Sequence, residues 1–274
     1  MNATINDPKL RTVNRAAKAG SRFDVYRHNP WRAPGTGAIV DACGMAGGAP
    51  VQSPEWGNYV PTKFAKQGDH GSVTLPEVPT STEWKRGSTV EATWQVTANH
   101  GGGYYYRLCK SDDPLGLTEA CFERTPVPFA GTTQALVWAD PAKHPRLEFN
   151  GTFVSEGTVP KGSTWALNPI PARCLSGDCH EGKKCAPLPA GQSGTPCDDT
   201  PEPAFPPPCD ETGAPGLCSG NQGAHQAADG TTVAVVDTLR VPEGIPPGKY
   251  VLGWRWDCEA TAQIWTNCAD ITIV

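Results

Sequence analysis

Hydrophobic and polar positions alternate along much of this chain. Val90, Ala92, Trp94 and Val96 fall on one side, and Glu91, Thr93 and Gln95 on the other. A period of two marks a half-buried strand. The run Asn99-His100-Gly101-Gly102-Gly103 then reads as a turn. Beyond it, Tyr104, Tyr106 and Leu108 share one face while Tyr105 and Arg107 share the opposite one. Trp94 to Cys109 is thus predicted as strand, turn and strand. Tyr250–Trp256 and Ala269–Val274 alternate in the same way, and Ala135–Trp138 and Leu147–Phe149 read as further strands. Ser163–Leu167 reads as a core strand ended by prolines, whereas Ala38–Ala42 is at most a short one. Val233 and Val235 lead through Thr238–Val241 into a turn over Pro242–Gly248. Repeated short strands separated by Pro and Gly turns predict an all-β sandwich, not a parallel sheet wrapped in helices.

Composition agrees with that class. The 274 residues include 30 Gly and 28 Pro, and only 19% are charged. Gly and Pro interrupt helices, so long helices are not expected. A hydrophobic share of 38% with nine Trp is enough for a core. A formal charge of −5 argues against nucleic acid as a partner, because phosphate binding needs a basic surface. No apolar run approaches the length of a membrane span, and the chain is expected to be a monomer.

Cysteines divide the chain and place it in a compartment. There are 11, which points to an oxidising environment and a secreted protein. Six of them (Cys174, Cys179, Cys185, Cys197, Cys209, Cys218) lie among Gly, Pro and Asp with almost no aliphatic residue. Such a segment cannot bury a core of its own and is expected to be cross-linked. A zinc site at Cys179-His180 and Cys185 is the less favoured alternative. Residues 1–25 read as a flexible, basic arm, with Lys9, Arg11, Arg15, Lys18 and Arg22 scattered along it. The organisation expected is one sandwich domain over 26–274 with a disulfide-rich insertion over 174–218. Cys109 and Cys121 bracket a short polar loop, so a local bridge is expected there. A second local bridge is expected at Cys258–Cys268, which leaves Cys43 unpaired. The first twenty residues contain no apolar stretch of the kind a secretion signal needs. A missing N-terminal segment accounts for that gap, and for the odd number of cysteines.

Candidate chemistry is sparse. His100 is followed by three glycines, which let a backbone approach a ligand or surface closely. Asp69 and His70 are adjacent, and adjacent residues of an extended segment face opposite ways, so they are not expected to act as a pair. Nothing marks the paired carboxylates of a glycoside hydrolase, and no Gly-x-Ser-x-Gly elbow is present. Asn2-Ala-Thr and Asn150-Gly-Thr match the N-glycosylation sequon, the second at a predicted turn.

Taken together, several segments resemble the lytic polysaccharide monooxygenases and the chitin-binding type-4 domain, in particular algal and oomycete-type members. They are the His100 turn, Arg27-His28-Asn29-Pro30-Trp31, the run Val40–Gly48, and the C-terminal strand with Gln263-x-Trp265 ahead of Cys268. The resemblance covers roughly 8–170 and 231–274. It implies an immunoglobulin- or fibronectin-III-like β-sandwich with long loops and one copper ion held in a histidine brace. His100 would be one metal ligand, Trp265 would shield the axial side, and Gln263 would stand near the reacting oxygen species. Tyr104 and Tyr105 would lie at the surface that meets the substrate. The implied reaction is oxidative cleavage of an insoluble polysaccharide, with an external electron donor. In that family the other ligand is the mature chain's N-terminal histidine, bound through side chain and α-amine. This sequence begins Met1-Asn2, and its first histidine is His28. As it stands, the chain is therefore expected to be inactive and to hold copper weakly. The other expectation is a non-catalytic polysaccharide-binding or cell-wall surface module.

Overall fold

The computed structural model describes residues 4–5, 34–35, 37–48, 50–51, 60–95, 103–151, 153–155, 157–169, 232–258 and 263–274. His28, His100 and the 174–218 insertion lie outside the described residues, as do Trp56 and Tyr59. The strands are β1 (Thr4–Ile5), β2 (Glu83–Trp84), β3 (Thr89–Trp94), β4 (Gly103–Lys110), β5 (Pro126–Val127) and β6 (Phe129–Trp138). They continue with β7 (Leu147–Asn150), β8 (Phe153–Val154), β9 (Trp165–Leu167), β10 (Val233–Arg240), β11 (Gly248–Asp257) and β12 (Gln263–Ile273). Two single-turn helices, α1 (Gly71–Thr74) and α2 (Glu119–Phe122), complete the described elements. No helix among the described residues is long and apolar enough to cross a membrane.

The strands form two sheets. One has eight strands, running β1-β12-β11-β4-β9-β8 with β2 paired to β12 and β5 to β4; the other has four, in the order β3-β10-β6-β7. The predicted strands are found as far as the described residues reach, the first of them to Trp94, with Val96 outside those residues; β12 starts earlier than expected, at Gln263. Ala38–Ala42 is not a strand. Within the basic arm, Thr4 and Ile5 pair with Ile264 and Gln263 of β12.

Alternation decides what lies between the sheets. Tyr104, Tyr106 and Leu108 of β4 and Tyr250 and Trp256 of β11 enter one core, against Trp94, Leu136, Val233, Val235 and Leu239 of the smaller sheet. Aromatic rings dominate the contact. The Trp94 ring lies 4.7 Å from Tyr104 and 5.0 Å from Trp254, centroid to centroid. One bulge breaks the pairing. The β6–β10 register shifts between Asp237 and Leu239, and Gly131, in the part of β6 that loops out, takes a left-handed φ of 88° that suits glycine.

The eight-stranded sheet is covered on its other face as well. There Cys109, Cys121, Phe122 and Val251 pack with Ala42 and Cys43, under α2 and the 37–48 loop. Thr118 caps α2, its side-chain oxygen accepting from the Cys121 backbone N–H. A strand buried on both sides needs no polar face, and β4 is buried from Gly103 through Cys109.

Candidate functional site

Sheet register brings together segments that are far apart in sequence. Gly103, three residues after His100, pairs with Asp257, and Asp257 pairs with Ile264. Ile264 is the residue between Gln263 and Trp265. One step along, Trp265, Trp256, Tyr104, Ala166 and Phe153 form a row across β12, β11, β4, β9 and β8. The start of β4 and the start of β12 thus stand at one end of the sheet, separated only by the end of β11. Two strand spacings amount to about 10 Å.

A buried ionic cluster braces that end. Arg255 donates from Nε to Asp257 Oδ1 at 2.7 Å, from one terminal nitrogen to Glu119 Oε1 at 2.7 Å, and from the other to the Gly37 carbonyl at 2.6 Å. Asp257 Oδ2 accepts from the Gly35 N–H at 2.8 Å. Arg107 donates to Glu119, to the Tyr105 hydroxyl at 3.2 Å and to the Ala42 carbonyl at 3.3 Å. Glu119 therefore faces two guanidinium groups. Burial alone would raise its pKa, but Arg107 and Arg255 outweigh that and hold it below the ordinary carboxylate value. Burial works against the charge on Arg255 too, yet Asp257 and Glu119 hold its pKa above the usual value. The cluster fastens Gly35, Gly37 and Ala42 to the sheet. Gly37 sits so close to β12 that a Cβ there would meet Ile264 Cδ1 at 2.5 Å.

Further ties secure the same loop. Cys43 is bonded to Cys268, 225 residues away in sequence. Thr266 donates its hydroxyl to the Asp41 carbonyl at 2.9 Å. The Asp41 carboxylate accepts from the backbone N–H groups of Cys43 (2.9 Å) and Ser72 (3.1 Å) and from the Ser72 hydroxyl, and His70 Nδ1 lies 3.7 Å from it. Asp69 instead accepts from the Lys66 N–H, at 2.9 Å.

A second polar cluster crosses the core. Asp237 on β10 accepts from Tyr104 (3.0 Å), Tyr106 (2.8 Å) and the Gln134 amide (2.6 Å), and all four side chains are buried. Burial pushes the Asp237 carboxyl up to about 6 despite these donors. Burial first, and then the charge of Asp237, raise both tyrosines well above their ordinary values.

The predicted site residues fare unevenly. His100 lies outside the described residues. Gln263 is the first residue of β12, and Trp265 is half-buried, its ring stacked at 6.3 Å on Trp256. Tyr104 and Tyr105 are not at a surface: they are 0% and 1% exposed. Tyr104 points into the sandwich core. Tyr105 stacks on Trp165 at 4.3 Å beneath the outer cover. The Cys109–Cys121 bridge is present. The Cys258–Cys268 bridge is not, and Cys43 is bonded, contrary to expectation. The cause is strand parity. Cys258 follows Trp256 by two residues and joins the inter-sheet core, whereas Cys268 follows Trp265 by three and faces the opposite side.

Arg107, Glu119, Arg255, Asp257 and Asp237 were not singled out in the sequence. A signal was there for four of them. Arg107, Arg255 and Asp257 interrupt aromatic strands at positions of one parity, and Asp237 interrupts a valine-rich one. Charge in a strand of that kind is buried and must find partners.

Both carboxylates of the brace are committed to arginine, so the cluster holds a loop and does not present an acid–base pair. Among the described residues no group of three His, Cys, Asp or Glu side chains is arranged to hold a metal ion.

No protein-family model and no curated protein matches the chain. It is similar to the solved structure of a lytic polysaccharide monooxygenase AA15 from Thermobia domestica in the Cu(I) state, at 17% identity and a TM-score of 0.30. The match covers 70% of this chain and 61% of that one, so the chain spans about three fifths of the length of that structure.

Proposed function

We propose that this chain is a secreted, polysaccharide-active module of the lytic polysaccharide monooxygenase kind, with its working surface at the His100 end of the eight-stranded sheet. The observation that carries the reading is the register Gly103–Asp257–Ile264. It sets the strand that begins three residues after His100 at the same end of the sheet as the segment Gln263-x-Trp265, with only β11 between them. These are the two parts of the sequence that resemble the copper-site segments of that family. The arginine–carboxylate brace and the Cys43–Cys268 bridge supply the rigidity that a surface built from loops needs. Two disulfides among the described residues fit an oxidising compartment.

Oxidative cleavage of glycosidic bonds at one copper ion is the activity proposed for that surface. When bound, copper would supply the oxygen chemistry, with electrons from an external donor. His100 would contribute an imidazole nitrogen, and Trp265 and Gln263 would stand near the metal without ligating it. The residues named here do not by themselves fit a copper ion, for Trp265 has no ligating atom and the single imidazole of His100 does not make a tetragonal site. No reaction step through copper follows from them.

Three measurements test the proposal: retention on insoluble chitin, cellulose and pectin, copper titration by calorimetry, and mass spectrometry of products formed with a reductant. The results expected of the chain as given are retention on one of these polymers, weak copper binding and no oxidised product. With a histidine supplied at the mature N-terminus, tight copper binding is expected, lost in His100→Ala, whereas Trp265→Phe is expected to keep the copper affinity and change the product yield. Retention with no copper-dependent product from that extended chain assigns it to the non-catalytic binding class. Absence of retention, with copper binding indifferent to His100→Ala, overturns the reading.

A further inference from the structure

We propose that Asn150 is an acceptor for an N-linked oligosaccharide, carried on the open edge of the four-stranded sheet. Asn150 ends β7, and Thr152 completes its sequon. Along β7 the alternation is regular. Leu147 and Phe149 pack against the core, while Glu148 and Asn150 are exposed on the outer face. Asn150 stands opposite Thr133, which is exposed along with Gly131 and Thr132, and a Cβ built on Gly131 meets nothing within 4 Å. Asn150 and the strand segment opposite it are therefore open to solvent.

The backbone turns at this point. Gly151 donates its N–H to the Thr132 carbonyl at 2.8 Å, and by Phe153 the chain has passed from the four-stranded sheet into the eight-stranded one. The middle residue of the sequon has little freedom to vary, since a Cβ at Gly151 would lie 2.1 Å from Gln134 Oε1, in the buried Asp237 cluster. Asn150 and Gly151 are thus held at a sheet-to-sheet corner, with the acceptor outward.

Chemistry and position agree. The donor class is a lipid-linked pyrophosphoryl oligosaccharide. The Asn150 Nδ2 forms a bond to C1 of the first sugar, the C1–O bond to phosphate breaks, and the lipid pyrophosphate leaves with the electron pair. One amide proton is released, and nothing is oxidised or reduced. Among the described residues β7 is an edge strand with no partner on its outer side. Exposed edges invite pairing with other chains, and a bulky hydrophilic oligosaccharide there blocks it.

The test is secretion of the full chain from a eukaryotic host, followed by intact mass and peptide mapping before and after peptide:N-glycosidase treatment. The expected result is an oligosaccharide on the peptide holding Asn150, removed by the enzyme with deamidation at that position. Asn150→Gln and Thr152→Ala should each abolish it, and Asn2→Gln should leave it in place. Thr152→Ala keeps the Asn150 side chain, so it guards against a variant that fails to fold. A secreted, folded chain with Asn150 unmodified, or a glycan that survives both Asn150→Gln and Thr152→Ala, overturns the proposal. This inference does not depend on the proposed activity.

Discussion

Replacing Asp237 by Asn should make the protein more resistant to unfolding at neutral pH and leave it nearly unchanged in acid. Asp237 is 0% exposed, and burial lifts its carboxyl from the ordinary 3.8 to about 6. In the folded state the proton is held over a range where the unfolded chain has already lost it. Between about pH 4 and pH 6 the native state therefore binds more protons, and stability falls as pH rises. A shift of roughly two units corresponds to about 3 kcal/mol, with the loss complete near pH 7. Asn has nearly the shape of Asp and keeps an oxygen to accept from Gln134 and one tyrosine. Its amide can donate to the other tyrosine's hydroxyl oxygen. It carries no charge that burial can penalise.

The assay is urea unfolding of both proteins from about pH 4 to about pH 8, with disulfides intact. Glu119 opposes the trend. Its depressed pKa contributes stability that is present above the ordinary carboxylate value and is lost as pH falls through the folded one. The informative quantity is therefore the difference between variant and parent, in which Glu119 cancels. That difference should grow in the variant's favour by about 3 kcal/mol on going from pH 4 to pH 7. A difference that does not depend on pH would refute the reasoning, as would one that grows toward acid.

Glu119→Gln removes the carboxylate that two buried arginines share, and should cost about 3–5 kcal/mol at neutral pH, read as a lower urea midpoint. Its deficit should shrink in acid, where Glu119 of the parent is itself protonated; a midpoint equal to the parent's at neutral pH contradicts the brace. Peptide mapping without reduction should recover Cys43 linked to Cys268, and recovery of Cys258 linked to Cys268 would exclude it. Cys43→Ala should destabilise by up to about 5 kcal/mol, because the bridge closes a very long loop in the unfolded chain.

Much of the sandwich was legible because period-two alternation is a direct consequence of pleat geometry. Val90 to Trp94, Tyr104 to Cys109 and Tyr250 to Trp256 each alternate, and each is a strand. The alternation also sorted Tyr104 and Tyr106 from Tyr105 and Arg107 correctly. What it could not say is whether the second face meets water. That depends on α2, the 37–48 loop and Trp165, which come from elsewhere in the chain and cover Tyr105 only in three dimensions. The placement of Tyr105 at a substrate surface failed for that reason, and that of Tyr104 because its face is the one that meets the smaller sheet. The position of the candidate site in the sheet followed a different route. Nothing local to Gln263-x-Trp265 says that it lies two strands from Gly103; the pairing of β11 with both β4 and β12 does.

The cysteines carry the point further. Nearness in sequence favoured Cys258–Cys268, since short loops close easily. Parity forbids it once Trp256 and Trp265 stand opposite each other in the core. Cys258 then shares the core face and Cys268 does not. A bridge between them would pass through the sheet, whereas Cys43 lies on the side that Cys268 faces. The same parity puts Arg255 and Asp257 on the covered outer face with Cys268, and Trp254 and Trp256 inside. A sulfur and a guanidinium that are unrelated in chemistry thus do one job. Both hold one loop against the strands that flank the candidate surface, the first at Cys43 by a covalent bond and the second at Gly37 by a charged hydrogen bond. Reduction would loosen one of these ties and acid the other, so a surface held by both should withstand either condition alone better than the two together.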